Sequence, residues 1–427
     1  MPVFSNAEEN FDVRRHLSTA TSYHIAKDIS ENSFVPSNIP DQCTPIHLNL
    51  VARHGTRAPT KKKLKELEAL ATRLEVLLEN IREQKSTGIP TWLSGWKSPW
   101  TGKHKGGELI SIGENELYEL GIRTREKFPD LFKVDYHPDI YPIKATQVSR
   151  ASASAVAFGM GLFSDRGNLG PGRHRAFAVT SESRASDIML RFHDCCQNYK
   201  AFRKNQEPSV DKLKEPVLNE VSLLEWADDL EVFVLKGYGN SLNYRMGVPL
   251  LEDVIQSMEQ AIKAKEDGLV PGSYEMARLR FAHAETLLPF SCLIGLFLDR
   301  PEFEQILREQ PLELPLKPPQ KRIWRGSLVA PFAGNNMLVL YSCPANNSSK
   351  YFVQVLHNES PTPLAGCGNS DFCPFEVFKE RIAAPHLKHD YHALCSMETE
   401  QSTTSKFSQI LSWFFPADSK QPRNAEL

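Results

Sequence analysis

The chain has almost no net charge: 50 lysines and arginines stand against 52 acidic residues, a formal balance of −2 over 427 residues. Without a global basic field it has nothing to draw in nucleic acid or an anionic membrane. Any preference for an anionic small molecule must therefore come from a local cluster. Long hydrophobic runs are also missing. No stretch approaches the roughly 20 apolar residues that cross a bilayer, and Trp413-Phe414-Phe415 is too short to do so. The residues from Met1 to Asn10 have no apolar signal core. No internal repeat or extended low-complexity segment is present. The eight cysteines lack the spacing of a zinc site, since only Cys195-Cys196 and Cys367/Cys373 lie close together. His386, His389, Asp390, His392 and Cys395 crowd together but have no ligand spacing on one element, so no metal and no cofactor is expected.

What is present starts with Arg53-His54-Gly55-Thr56-Arg57-Ala58-Pro59. It follows the alternating run Ile46-His47-Leu48-Asn49-Leu50-Val51, which reads as a strand, and precedes a long helical pattern. The carboxyl end of a strand is where open α/β sheets bind ligands. Two guanidiniums keep their charge and present forked donors that match phosphate oxygens. Between them His54 stays neutral, with a ring nitrogen free to attack phosphorus. It is expected to be an accessible group. Gly55 would let the backbone turn tightly and approach the ligand.

The length suits two domains, or one domain with a large insertion. Residues 1–40 are polar with scattered prolines and read as an irregular arm. Lys61 to Gln84 carries leucines at spacings of three and four, one face of a long helix. Further helices are predicted over Glu114 to Phe128, Ala151 to Phe163 and Thr286 to Leu298. Strands are predicted over Pro142 to Val148, Phe177 to Val179 and Leu279 to Ala282, and a hairpin over Leu328 to Ser342 and Tyr351 to His357. From Ser183 to about Lys265 the pattern is mostly helical, interrupted near Pro208. The fold expected is an α/β core, a mixed sheet flanked by helices, with a smaller α-helical cap inserted. Its parts are the arm 1–40, core 41–182, cap 183–275, core 276–400 and a polar tail 401–427.

Three further pieces fit the first motif. Arg150 opens a helix just past a strand, where the helix end already favours anions. His283-Ala284-Glu285 sits in the same kind of place. Glu285 suits the acid that protonates a leaving oxygen and later activates water, and His283 suits a donor to the phosphoryl group. Lys61, Lys62 and Lys63 directly follow the first motif and could line a pocket mouth for a polyanion.

With these residues the chain resembles the histidine acid phosphatase and phytase branch of the histidine phosphatase superfamily. The branch usually ends its second motif in His-Asp; His-Ala-Glu looks like the multiple inositol polyphosphate phosphatase subfamily. The resemblance extends to Phe11 through Thr19, the Arg150 segment and the cysteine-bearing carboxyl third. It implies that His54 is the nucleophile, that Glu285 is the proton donor, and that Arg53, Arg57, Arg150 and His283 bind the scissile phosphate. It also implies hydrolysis of inositol hexakisphosphate and lower inositol polyphosphates, and removal of the 3-phosphate of 2,3-bisphosphoglycerate, by a monomer without metal. It further implies disulfides Cys43–Cys343, Cys196–Cys395 and Cys367–Cys373, with Cys195 and Cys292 free. Ala58 departs from the pattern, a larger side chain being usual there. Two alternatives stay open: a non-catalytic inositol phosphate binding protein, and a phosphoglycerate mutase-like phosphotransferase. The cysteines and the sequons at Asn346, Asn347 and Asn358 point to a secretory or extracellular glycoprotein whose signal peptide is missing, with a cytoplasmic location as the other possibility.

Overall fold

A computed structural model of the chain describes residues 12–30, 39–83, 96–102, 105–214, 221–310, 312, 322–344 and 349–396. The sequons at Asn346 and Asn347, the Trp413 to Phe415 patch and the tail 401–427 lie outside the described residues.

A seven-stranded mixed sheet organises the core. Its strands are β1 (Thr44–Arg53), β2 (Ile143–Ala145), β3 (Ala277–Ala282), β4 (Asn335–Ser342), β5 (Tyr351–His357), β6 (Ser360–Pro361) and β7 (Phe372–Pro374). The order is β2-β3-β1-β4-β5-β6, with β7 also paired to β5. β1, β2 and β3 are parallel to one another, and β4 runs against β1. Parallel strands need crossover connections, and helices supply them. Before β1 comes α1 (Tyr23–Ser30); between β1 and β2 lie α2 (Lys61–Glu83) and α3 (Ser111–Lys127); between β2 and β3 lie α4 (Ser149–Leu162), α5 (Phe192–Cys195), α6 (Gln197–Lys214), α7 (Val221–Lys236), α8 (Ser241–Arg245) and α9 (Val248–Glu266); and α10 (Ala284–Leu293) follows β3.

The sheet is buried on both faces. Leu48, Leu50 and Ala52 of β1 enter a core with Leu117, Leu120 and Phe158 of α3 and α4. Val51 enters the opposite core, with residues of α9 and α10. Period-two alternation puts His47 and Asn49 on that second face too. Polar residues there suggest a solvated surface, but α9 covers them. Asn49 bonds Ser257 of α9, and His47 bonds Glu275 at 3.0 Å. Arg280 on β3 donates to Asn49 at 2.9 Å and pairs with Asp253 of α9. The face is a buried ionic layer whose polar groups satisfy each other, as burial demands.

Several elements differ from expectation. Pro142 to Val148 shortens to β2, and Phe177 to Val179 forms no strand; only Thr180 bridges Lys144. Leu328 to Gly334 is not part of the hairpin, because Gly326–Val329 is a helical turn and β4 starts only at Asn335. Pro208 lies inside α6 rather than breaking it. Within the arm, residues 12–30 form two 3₁₀ turns and α1. Tyr23, Ile25 and Ala26 are buried, and tertiary packing rather than local propensity holds so short a helix.

Disulfides join Cys43 to Cys343, Cys196 to Cys395 and Cys367 to Cys373, while Cys195 and Cys292 are free. The first ties the start of β1 to the end of β4. Replacing Cys43 and Cys343 together by serine should cost about 2–4 kcal/mol of stability. Urea titration of the double variant against the parent measures it, and coincident curves would mean the bridge constrains nothing. The sequon at Asn358 is not a glycan acceptor in the folded chain. Its side chain is buried, Nδ2 donates to the Leu328 carbonyl at 2.8 Å, and Oδ1 accepts from the Asn335 amide at 3.0 Å.

Candidate active site

Parallel pairing of β1 and β3 brings together two motifs that are far apart in sequence. The register sets Arg53 beside Ala282, so His54 and His283, each the next residue, leave adjacent strand ends on the same edge. Their rings lie 5.4 Å apart, centre to centre. β2 pairs with β3 so that Ala145 faces Phe281. The residue after it, Thr146, places its hydroxyl 2.9 Å from His283 Nε2. Arg150 follows in the first turn of α4, and Glu285 lies in the first turn of α10. The site is thus built from three strand ends and two helix starts, all arranged to favour an anion.

Gly55 is needed for packing rather than for a tight turn. A Cβ there would lie 2.3 Å from the Gly113 carbonyl oxygen, at the start of α3. The Gly55 amide donates to Ser154 Oγ on α4 at 3.1 Å. Glu116 of α3 accepts from the amide and hydroxyl of Thr56 at 2.7 and 2.9 Å. These contacts leave the loop after β1 one shape.

Arg53 is buried, and its Nη1 donates to the carbonyls of Thr19 and Ala330. Its guanidinium stacks 4.3 Å over Phe332, a cation–π contact that fixes its plane. The Thr19 contact makes the amino-terminal segment part of the site. Arg57 donates to the Ala58 carbonyl, and Arg150 Nη2 lies 3.4 Å from His283 Nδ1. Arg191 donates to His283 Nε2 at 2.8 Å and pairs with Asp194. Each of these four arginines keeps a buried Nε without a protein partner among the described residues. Such an Nε alone marks nothing, because Arg245 and Arg322 also have one. Three of the four gather around one histidine pair, Arg53 and Arg150 acting on His54 and Arg150 and Arg191 on His283.

His54 is 2% exposed, so the accessible histidine expected from sequence is in fact enclosed. Burial, followed by the charges of Arg53, His283 and Arg150, holds it well below the usual histidine range. Its Nδ1–H donates to the Gly55 carbonyl at 2.9 Å, which leaves Nε2 as the lone-pair nitrogen. His283 is neutral for the same reasons, with Arg150 and Arg191 beside it. For Glu285 burial works upward, but Lys236, His193 and His283 outweigh it and hold the carboxyl well below the usual range. Lys236 Nζ, at the end of α7, lies 3.0 Å from Glu285 Oε1. Burial pushes the neighbouring His193 down to about 4.

The structure therefore brings Arg53, His54, Arg57, Arg150, His283 and Glu285 into one charged neighbourhood. Lys61, Lys62 and Lys63 stand exposed on the first turn of α2, Lys63 against Glu66 at 2.6 Å. Sequence reasoning missed Thr146, Arg191, His193 and Lys236. Arg191 to Asp194 did offer a signal, with four polar or aromatic residues in a row. Inside a helical block that signal cannot be told from surface charge until a partner is known. Among the described residues no three His, Cys, Asp or Glu side chains converge as a metal set, and Cys395 is committed to its disulfide. Nor is any described helix long and apolar enough to cross a membrane.

The chain is similar to several known proteins. The chain is 26% identical over 389 residues to the human multiple inositol polyphosphate phosphatase 1, covering 77% of each chain. It is 26% identical over 425 residues to a thiamine-repressible acid phosphatase of Schizosaccharomyces pombe, covering 86% of this chain and 85% of that one. The phytase of D. castellii superposes with a TM-score of 0.62 at 16% identity, covering 97% of this chain and 93% of that one. The Bifidobacterium longum multiple inositol polyphosphate phosphatase bound to inositol hexasulfate gives 0.55 at 17% identity, covering 87% and 98%. Residues 46–222 and 214–358 match the histidine phosphatase superfamily, branch 2. With more than half its length in that match, and with a mixed α/β fold shared with these structures, the chain belongs to branch 2 of the histidine phosphatase superfamily.

Proposed function

We propose that the protein is a phosphomonoesterase that removes phosphates from inositol hexakisphosphate and lower inositol polyphosphates through a phosphohistidine on His54. The observation that carries this is the state of His54: enclosed, neutral, tied through Nδ1, with Nε2 left as the lone-pair nitrogen and the charges of Arg53 and Arg150 acting on the ring. Arg53, Arg57, Arg150, Arg191 and His283 hold the scissile phosphoryl group and stabilise the charge that grows on it. His54 Nε2 attacks phosphorus while Glu285 protonates the leaving oxygen; Glu285 then takes a proton from the water that releases phosphate. The helical block 183–275 acts as a cap that contributes Arg191, His193 and Lys236. The relatives named above support the substrate class, and removal of the 3-phosphate of 2,3-bisphosphoglycerate belongs to the same chemistry. The three disulfides support an oxidising, secretory or extracellular location.

Phosphate release from inositol hexakisphosphate, with an acid-quenched search for phosphate on histidine, tests the reading. Label passing straight to water would point to another mechanism, and binding without release would favour a non-catalytic inositol phosphate binder. Glu285→Gln should slow inositol phosphate cleavage more than cleavage of an activated aryl phosphate, whose leaving oxygen is already a weak base. Equal losses on both would remove Glu285 from the acid's role.

The exposed lysines of α2 support a pocket rim. Three like charges with no acid in the first turn oppose the helix dipole, a cost that a polyanion would offset. Replacing Lys61, Lys62 and Lys63 by serine should raise KM for inositol hexakisphosphate and leave a monophosphate nearly unaffected. The same shift for both substrates, or none for either, would make the run a solvated helix end.

A further inference from the structure

We infer that Lys236 is a specificity-determining residue through which a second phosphate on the substrate arms Glu285: the ammonium leaves the carboxylate for that phosphate, and Glu285 then takes up the proton it delivers. This rests on the phosphatase reading above.

The starting point is a contradiction in the site. A general acid has to carry a proton, yet Glu285 is ion-paired with Lys236 at 3.0 Å, and a carboxylate so paired is ionised. Among the described residues Lys236 is its one ion-pair partner. The other groups that face Glu285 do not hold it this way. His283 lies at its own helix end and His193 on α5; both add to the lowering of the carboxyl, but burial pushes their own values down and neither is ion-paired with it. Tyr199 and Arg203 look across from α6, with Arg203 paired to Glu207. Arg53, Arg57 and Arg150 act from the scissile side. A lysine in the last turn of a helix also complements the dipole, but an ammonium in solvent would serve that purpose. This one is 15% exposed against a carboxylate that is 30% exposed, so the pair sits at the edge of open space.

A monophosphate brings no charge to compete for Lys236. Glu285 stays ionised and the leaving alkoxide departs unaided. A substrate with a second phosphate near the leaving oxygen offers Lys236 a stronger partner. Freed of the ammonium and close to added negative charge, Glu285 binds a proton from solvent. As the P–O bond breaks and the bond from phosphorus to His54 Nε2 forms, that proton passes to the leaving oxygen. Ionised again, Glu285 takes a proton from the water that displaces His54 and frees inorganic phosphate. Selectivity for polyphosphates then lies in kcat as well as in KM.

The test compares pH profiles of kcat for inositol hexakisphosphate and glycerol 2-phosphate in the parent, Lys236→Met and Lys236→Arg. In the parent, glycerol 2-phosphate turnover should fall off at lower pH than hexakisphosphate turnover. Lys236→Met should move the glycerol 2-phosphate limb upward by about one to three pH units, the scale of losing one close opposite charge, and raise its kcat at neutral pH about tenfold. KM for hexakisphosphate should rise in the same variant, and Lys236→Arg should restore the separation between the two profiles. An unmoved glycerol 2-phosphate limb in Lys236→Met, or parallel loss of kcat on both substrates, overturns the inference. Trapping phosphate on His54 from an aryl phosphate keeps the two ideas apart. With the trap positive and the limb unmoved, only the role of Lys236 falls; with no trap in the parent, the phosphatase reading itself falls.

Discussion

His54→Ala should lower turnover of inositol hexakisphosphate by at least about 10⁴-fold, the scale on which loss of a nucleophile registers in other hydrolases. The protein should still fold. Among the described residues the imidazole makes one hydrogen bond, to the carbonyl of the next residue, and the nearby cations give it no favourable charge. The loop around it is held by other contacts: Gly55 to Ser154, Thr56 to Glu116, and the Gly55–Gly113 approach. Because Arg53, Arg57, Arg150 and Arg191 remain, the variant should keep binding hexakisphosphate while it ceases to cleave it. Calorimetric titration of the ligand and a phosphate-release assay separate these two quantities. Turnover near that of the parent would remove His54 from the nucleophile's role. Loss of binding together with turnover would mean that the ring organises the arginines instead.

Asp253→Ala should cost about 3–5 kcal/mol of folding stability, the usual penalty for leaving a buried charge without its partner. Arg280 is among the largest fully buried side chains. It pairs with Asp253, which also receives Arg278 at 2.6 Å. For Asp253 burial works upward, but Arg280 and Arg278 outweigh it, so its folded value lies below the ordinary carboxylate range. A depressed folded value means that its contribution is present above the unfolded value, near 4, and is lost as pH falls through the folded value. The gap between parent and variant should therefore be flat from neutral pH down to about 4 and close only in stronger acid. Urea unfolding across that range measures it. The cost reflects one orphaned guanidinium, not the net worth of the pair, so Asp253→Leu combined with Arg280→Met should recover much of the loss. If the single and double variants are equally unstable, the layer matters for its shape rather than its charge.

The candidate site was legible in part because its chemistry is concentrated in short motifs. Arg53 to Pro59 and His283-Ala284-Glu285 carry the proposed nucleophile and the proposed acid beside charged or ring side chains, at a strand-to-helix junction that hydrophobic periodicity reveals. The cap residues were not legible. Arg191, His193 and Lys236 look like ordinary charges on helices, and their meaning comes from His283, 92 residues beyond Arg191, and from Glu285, 49 residues beyond Lys236. Elements also failed where context overrides pattern. α1 is too short to announce itself, and Pro208 is tolerated inside α6.

By itself the sequence determined the α/β class, the positions of α2, α3 and α4 and the candidate residues for phosphoryl chemistry, because periodicity and residue type are local properties. Tertiary structure alone decided that β1 and β3 run parallel in the register that sets His54 beside His283. It also decided that His54 is enclosed rather than exposed, that Arg53 anchors the amino-terminal segment, that Asn358 is buried, and that Lys236 is the partner of Glu285. Each of these depends on which distant groups become neighbours. Burial and nearby charge set the protonation state of a side chain, and neither is a property of the residue alone.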